Sequence, residues 1–241
     1  MKFGVLALDY DGTIARDGVL DNEVGSAIAE ARRRGIVVVI VTGRILAELE
    51  QVAGDLHFVD AVVAENGAIL WFSNGHKRQI AHSTSVRFLQ EIARLGLEFK
   101  AGQCVVELDA GAAPQVLEII RQLELPLVLL FNRGRLMVLP QGVGKGAGLR
   151  EALAILRLSA HNAIGIGDAE NDHDLLAACE LGVAVEWGSR LSKRRPMKCY
   201  RESTPLLWLP TSGGQPRNSA CPRKKSGSIG YHSGLRTMAM S

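Results

Sequence analysis

Three short apolar runs, Phe3 to Leu8, Ile36 to Val41 and Ala163 to Ile166, each end in a loop of acidic, hydroxyl or glycine residues. Stretches with helical apolar spacing lie between them, and strands separated by amphipathic helices close into a mostly parallel sheet with crossover helices. The fold class is therefore α/β. In such sheets ligands collect beyond the carboxyl ends of the strands. The first run delivers Asp9-Tyr10-Asp11-Gly12-Thr13 to that edge, two carboxylates two residues apart beside a buried strand. Uncompensated charge is costly there, and a divalent cation together with a phosphate would compensate it. A metal-assisted phosphoryl site is the first expectation.

The chain of 241 residues, 47% of them hydrophobic, can bury one large core with a smaller domain attached. Its longest clear apolar run, Ile36 to Val41, is strand-sized and far short of the roughly 18 residues that cross a bilayer. Asp9 and Asp11 interrupt any secretory apolar segment, so a cytoplasmic location without membrane partners is expected. The four cysteines, Cys104, Cys179, Cys199 and Cys221, lack Cys-x-x-Cys spacing and read as reduced thiols. His57, His76, His82, His161 and His173 are scattered without ligand spacing.

After the first strand, Asp21 is placed to cap a helix from about Asn22 to Arg34, with Val24, Ala27, Ile28 and Ala31 inward and a stop at Gly35. The second strand leads to Thr42-Gly43-Arg44, with a helix expected from Arg44. A third strand, Ala61 to Ala64, turns through Glu65-Asn66-Gly67-Ala68 into Ile69 to Phe72 as a hairpin. Trp71 and Phe72 read as core next to the insert that follows. Residues 77–140 then show helix (Ser85 to Leu95), strand (Cys104 to Leu108), helix (Pro114 to Leu123) and two strands (Leu127 to Phe131, Leu136 to Leu139). This is a small α+β insert, in which Asp109 and Arg133 are expected in loops with surface roles. The core resumes with a helix Lys145 to Leu156, the strand Ala163 to Ile166, a helix Asp172 to Glu180 and a strand Val183 to Val185. The expected organisation is a core of residues 1–76 and 141–185, an insert of 77–140 and a tail of 186–241.

Loops bearing Asp9 and Asp11, Thr42 and Gly43, and Asp168, Asn171 and Asp172 thus meet at one sheet edge. An oxygen-donor cluster without His or Cys favours a hard cation, and Mg²⁺ is the usual choice beside phosphate. A calcium loop is excluded by the lack of an acid at position 13 and a glutamate at position 20, and the segment around Gly142 to Lys145 lacks P-loop spacing.

Together these segments, spanning about Lys2 to Val185, resemble the motifs of the haloacid dehalogenase superfamily. Glu65-Asn66-Gly67-Ala68 and the position of the insert resemble its Cof-type branch, whose insert is an α/β cap on a Rossmann-like core. The resemblance implies a Mg²⁺-dependent phosphatase acting on small phosphorylated metabolites, sugar phosphates or phosphoglycolate among them. It implies Asp9 as the nucleophile that forms an aspartyl phosphate and Asp11 as general acid and base. Gly12 would permit the turn, and Thr13 would bond the backbone there. Thr42 and Gly43 would bind the phosphate, Lys145 would stabilise the transferring group, and Asp168 would bind Mg²⁺ with the Asp9 carboxylate and the Asp11 carbonyl. Asn171 and Asp172 would hold Lys145 and the metal from further out, and Asn171 would also help to bind the substrate phosphate.

The tail does not fit this pattern. Of 28 basic and 25 acidic residues, eleven and two lie from Glu186 onward, leaving 17 and 23 before it, a formal +9 against −6. Residues 187–241 are rich in Arg, Lys, Ser, Gly and Pro without sustained periodicity, as in a disordered basic tail. With codons chosen freely, Glu186 to Ser203 read from the third base of the Glu186 codon spell Met-Gly-Leu-Pro-Ala-Leu-Lys-Ala-Ala-Ala-Asp-Glu-Val-Leu-Pro-Gly-Glu-His. The resembled family carries a similar pattern at this point, so a change of reading frame near position 186 is expected, which would impair the enzyme and strip the basic charge of meaning. Sequencing the gene across codons 180 to 205 tests this. Two other readings stay open. A phosphotransferase or mutase would pass the aspartyl phosphate to an acceptor other than water, and a nucleic-acid-binding protein would use the basic tail, whereas the main reading involves no nucleic acid.

Overall fold

A computed structural model describes residues 3–16, 18–132, 134–168, 172–185 and, in their backbone pairing, 198–200. The first half of the chain forms β1 (Val5–Asp9), β2 (Ala15–Arg16), β3 (Val19–Leu20), α1 (Asn22–Arg33), β4 (Val37–Val41), α2 (Leu46–Ala53), β5 (Ala61–Ala64), β6 (Ile69–Phe72) and β7 (Lys77–Gln79). There follow α3 (Val86–Arg94), β8 (Phe99–Ala101), β9 (Val106–Asp109), α4 (Ala113–Gln122), β10 (Leu127–Asn132) and β11 (Arg135–Pro140). The chain continues through α5 (Lys145–Ile155), β12 (Ala163–Gly167), α6 (His173–Ala178), β13 (Leu181–Ala184) and β14 (Lys198–Tyr200).

Eight strands make the large sheet in the order β14-β13-β12-β1-β4-β5-β6-β7. The pairs from β13 through β5 are parallel and both margins are antiparallel. β4, Val-Val-Val-Ile-Val, shows why the sequence takes this form, since a strand covered on both faces needs continuous apolar residues. Val38 and Ile40 face one cluster with Ile28 of α1 and Leu46 and Leu49 of α2, while Val39 and Val41 face the other with Leu149 and Leu153 of α5 and Leu175 of α6. Trp71 and Phe72 follow the same alternation and are buried on opposite faces of β6.

α1 begins where expected, because the Asp21 side chain accepts from the Glu23 N–H at 2.8 Å. Val24, Ile28 and Ala31 pack on the sheet, whereas Ala27 is exposed. α2 begins at Leu46 rather than Arg44, leaving Arg44 outside the helix with its side chain free to reach across the sheet edge.

A second, four-stranded antiparallel sheet has the order β10-β11-β9-β8. α3 and α4 cover one of its faces through Phe88, Ile92, Val116 and Ile119 against Val106, Leu108, Leu136 and Val138. This is the inserted α+β cap. The large sheet runs on through Gln79, because β7 pairs with β6, so the expected switch after residue 76 falls inside a hairpin of the large sheet. The expected strand Cys104 to Leu108 begins instead at Val106, because residues 102–105 form the turn from β8. Burial pushes the Cys104 thiol up to about 11 and the Cys179 thiol up to about 12, and both are free. The tail reading falls outside the described residues, apart from the backbone of β14, which pairs antiparallel with β13. No helix among the described residues is long and apolar enough to cross a membrane.

Candidate active site

The site is assembled by three neighbouring parallel strands. β1 lies between β4 and β12, with Leu8 opposite Ile40 and Ile166, so the loops after all three strands open on one edge. Asp9, the last residue of β1, is buried and accepts from Lys145 Nζ at 2.7 Å and from Thr13 Oγ1 at 2.9 Å. The Thr13 hydroxyl therefore serves the carboxylate and not the backbone as expected. Lys145 opens α5 and also donates to Asp172 at 2.6 Å. The other Asp172 oxygen accepts from the Asp168 N–H at 3.0 Å, which ties the loop after β12 to the lysine.

Two buried carboxylates thus share one ammonium. Burial pushes the Asp9 carboxyl up to about 6, against the pull of Lys145 and with Asp172 adding to the rise. Burial alone would lower the Lys145 ammonium, but Asp9 and Asp172 outweigh it and hold its pKa above the usual lysine value. The cluster is short of one positive charge.

Gly12 takes φ 78°, as the expected turn requires, and this sends the Asp11 side chain to the rim. There Arg44 grips it in a fork, with Nε to Oδ2 at 2.6 Å and Nη2 to Oδ1 at 2.7 Å. Arg44 itself lies 5.9 Å from the centre of the Tyr10 ring, and Tyr10 Oη donates to the Gly18 carbonyl at the β2–β3 hairpin. Thr42 is buried, and its Oγ1 accepts from the Arg44 N–H at 3.1 Å, which leaves the hydroxyl hydrogen to donate elsewhere.

The turn between β5 and β6 seats the lysine. Its four residues, 65–68, include Glu65 and Asn66 on left-handed backbone at φ 52° and 54°. Such non-glycine residues cost about 1–3 kcal/mol each and persist where neighbours leave no alternative. A Cβ on Gly67 would lie 2.2 Å from the Gly144 carbonyl oxygen, so only glycine lets the turn rest against the start of α5.

Asp9, Asp11, Thr42, Gly43, Lys145, Asp168 and Asp172 line one cavity of about 390 Å³. Asn171 and Arg133 lie outside the described residues. Asp109, expected in a loop, is instead the last residue of β9; it is exposed, lies off the cavity and caps the turn that follows at Gly111. The cap closes the cavity with residues that the sequence did not single out. Leu130, Met137, Glu107 and Lys100 are successive partners across its four strands and form one row on the face opposite α3 and α4. Asn132 and Arg135 form the next pair. Arg135 bonds Glu107 at 2.6 Å, and Lys100 bonds Glu48 of α2 at 2.6 Å. Alternation along Leu127–Asn132 and Arg135–Pro140 is the signal that would have found them, once the helix-covered face was known.

The haloacid dehalogenase-like hydrolase family model matches this chain over residues 6–112 and 74–195. The chain belongs to the haloacid dehalogenase-like hydrolases. It is 24% identical over 206 residues to the 5-amino-6-(5-phospho-D-ribitylamino)uracil phosphatase YcsE of Bacillus subtilis, covering 75% of this chain and 83% of that protein. It is 25% identical over 201 residues to the phosphoglycolate phosphatase of Methanosarcina acetivorans, covering 80% and 88%. Among solved structures, the subclass IIB sugar phosphatase BT4131 superposes with a TM-score of 0.59 at 17% identity, covering 77% of this chain and 87% of that one.

The donor set of this hydrolase suits a hard divalent cation. Asp11 is engaged by Arg44 and Asp172 by Lys145, and no group of three or more His, Cys, Asp or Glu side chains stands ready to hold a metal among the described residues. The two carboxylates expected to bind the metal directly, those of Asp9 and Asp168, both line the cavity, as does Asp11, whose carbonyl is expected beside them. Mg²⁺ is commonly held in this way, by one or two carboxylates, water and substrate phosphate. The missing positive charge around Asp9 is one such a cation would supply.

Proposed function

We propose that this hydrolase releases inorganic phosphate from small phosphomonoesters, with Asp9 as nucleophile and Mg²⁺ as cofactor. The observation that carries the reading is Asp9 itself, buried on the cavity wall with one oxygen bonded to Lys145 and the other to Thr13. These two bonds fix its orientation for in-line attack on phosphorus. Attack forms an aspartyl phosphate and expels the alkoxide, to which Asp11 gives a proton. Asp11 then takes a proton from the water that hydrolyses the intermediate. Thr42 Oγ1 and the Gly43 N–H bind phosphate oxygens, and Lys145 neutralises charge on the transferring group. Bound Mg²⁺, held by Asp9, the Asp11 carbonyl and Asp168, supplies Lewis-acid stabilisation of phosphate charge. For Asp11 to act, the Arg44 fork must loosen, and an arriving phosphate competes for the same guanidinium.

The cap row bears on the leaving group. Lys100 and Arg135 each meet an acid, Glu48 and Glu107, so these two pairs are charge-balanced and offer both donors and acceptors to a small polar molecule.

The test is phosphate release from an aryl phosphate, expected with Mg²⁺ and lost on chelation. Activity that survives chelation would sink the metal, and a phosphorylated acceptor in place of free phosphate would assign a phosphotransferase. The pH profile follows from Asp9, which attacks as the carboxylate. Its value of about 6 predicts a rate falling as pH drops through that region, with the limb moving lower as Mg²⁺ is raised. Without metal the same raised value acts on stability. The folded chain holds this proton more tightly than the unfolded one, so stability falls as pH rises from the ordinary value of 3.8 through about 6 and then levels. Denaturant midpoints measured across that range in chelator check the sign.

A further inference from the structure

Glu65 is buried at 1% exposure and is absent from the cavity lining, so the chemistry described above does not use it. Its carboxylate accepts from three successive backbone N–H groups of the cap, those of Gln103 at 3.1 Å, Cys104 at 2.8 Å and Val105 at 3.2 Å. Consecutive N–H groups that converge in this way form an anion-binding nest. The fit is close, because a Cβ on Gly102 would lie 2.7 Å from the carboxylate atoms. No lysine or arginine pairs with Glu65 among the described residues, so the nest is what compensates the charge.

Both ends of this contact lead to the site. On the core side the Glu65 N–H donates to the Arg44 carbonyl at 2.9 Å and the Asn66 N–H to the Thr42 carbonyl at 3.1 Å, so the turn is bonded to the loop that carries Thr42 and Gly43. On the cap side residues 102–105 join β8 to β9, the strands of Lys100 and Glu107. The chain entering the cap touches the same turn, through Thr84 N–H to the Gln103 carbonyl and Cys104 Sγ to the Ala81 carbonyl. Asn66 Nδ2 adds a bond to Met137 Sδ of the row over the cavity at 3.2 Å.

We propose that Glu65 is the pin that registers the cap over the phosphate loop. It is a positioning residue: through the 102–105 turn it sets where Lys100 and Glu107 stand relative to Thr42 and Gly43, and hence how the leaving group is held. Only the kinetic arm of the test rests on the phosphatase reading.

Two variants attack the contact from opposite sides. In Glu65→Gln the side-chain amide turns donors toward donors, while Gly102→Ala leaves Glu65 intact and pushes the turn away. Hydrogen exchange followed residue by residue in the full chain is expected to speed at Gln103, Cys104 and Val105 by about tenfold or more in each variant, the effect of losing one hydrogen bond, with β9 unchanged. In turnover, KM for a phosphate ester large enough to reach the cap is expected to rise about tenfold with kcat nearly held, while methyl phosphate, too small to reach the row, is hydrolysed as before. Unchanged exchange at the three amides overturns the proposal. So does an equal loss on both substrates, which would make Glu65 a general stabiliser. Should Glu65→Gln fail to fold, Gly102→Ala alone decides by the same readouts. A wild-type chain without phosphatase activity would sink the proposed function and leave the exchange result to judge the pin.

Discussion

Asp9→Asn is expected to lower phosphate release by roughly a thousandfold or more while leaving the fold intact. The amide keeps the shape of the carboxylate but cannot form the acyl phosphate. The change also removes the surplus charge of the cluster, for Lys145 would then face Asp172 alone in a one-to-one pair. A buried group that is neutral and hydrogen-bonded costs less than one that is charged and shares its counter-ion. The melting temperature of Asp9→Asn without metal is therefore expected to equal or exceed that of the parent. Activity within tenfold of the parent would remove Asp9 from the mechanism, and a variant both inactive and unfolded would show that the carboxylate is chiefly structural.

Lys145→Met is the larger blow. Removing the ammonium orphans two buried carboxylates at once, those of Asp9 and Asp172, and breaking even one buried pair costs about 3–5 kcal/mol. Both activity and stability should fall, the second visible as a lower denaturant midpoint. Adding Asp172→Asn to the same chain should recover a good part of the stability and none of the activity, because it removes a charge without restoring one for phosphate. A single variant as stable as the parent would mean that the two acids are protonated in the folded chain at neutral pH.

The parts of this fold that could be read in the sequence are those whose own residues decide them. β4 is apolar throughout and α1 carries its cap at Asp21, so both stand out locally. β7, Lys-Arg-Gln, is exposed along its whole length and exists only because β6 lies beside it. β2, β3 and β8 are two or three residues long and owe their form to partners in the same way. The site divides similarly. Asp9, Lys145 and Asp168 sit at element ends whose chemistry is legible in the chain. The Arg44 fork on Asp11 depends on where α2 starts, and the row from Leu130 to Lys100 depends on cross-strand register, which no single segment encodes.

The neighbours of β1 in the sheet have an effect in time as well as in space. β1 pairs with β4 some thirty residues on, but also with β12, where Val5 meets Ala163. A ribosome that has released Asp9 must make most of the protein before Lys145 and the β12 strand emerge. Until then the carboxylate has neither its ammonium nor one wall of its sheet, and pairings across such long loops form late. A nascent chain halted before Lys145 is thus expected to be open at its centre, a target for chaperones and proteases, and unable to hold phosphate. The centre proposed for this hydrolase is complete only once the chain has been made as far as Asp172.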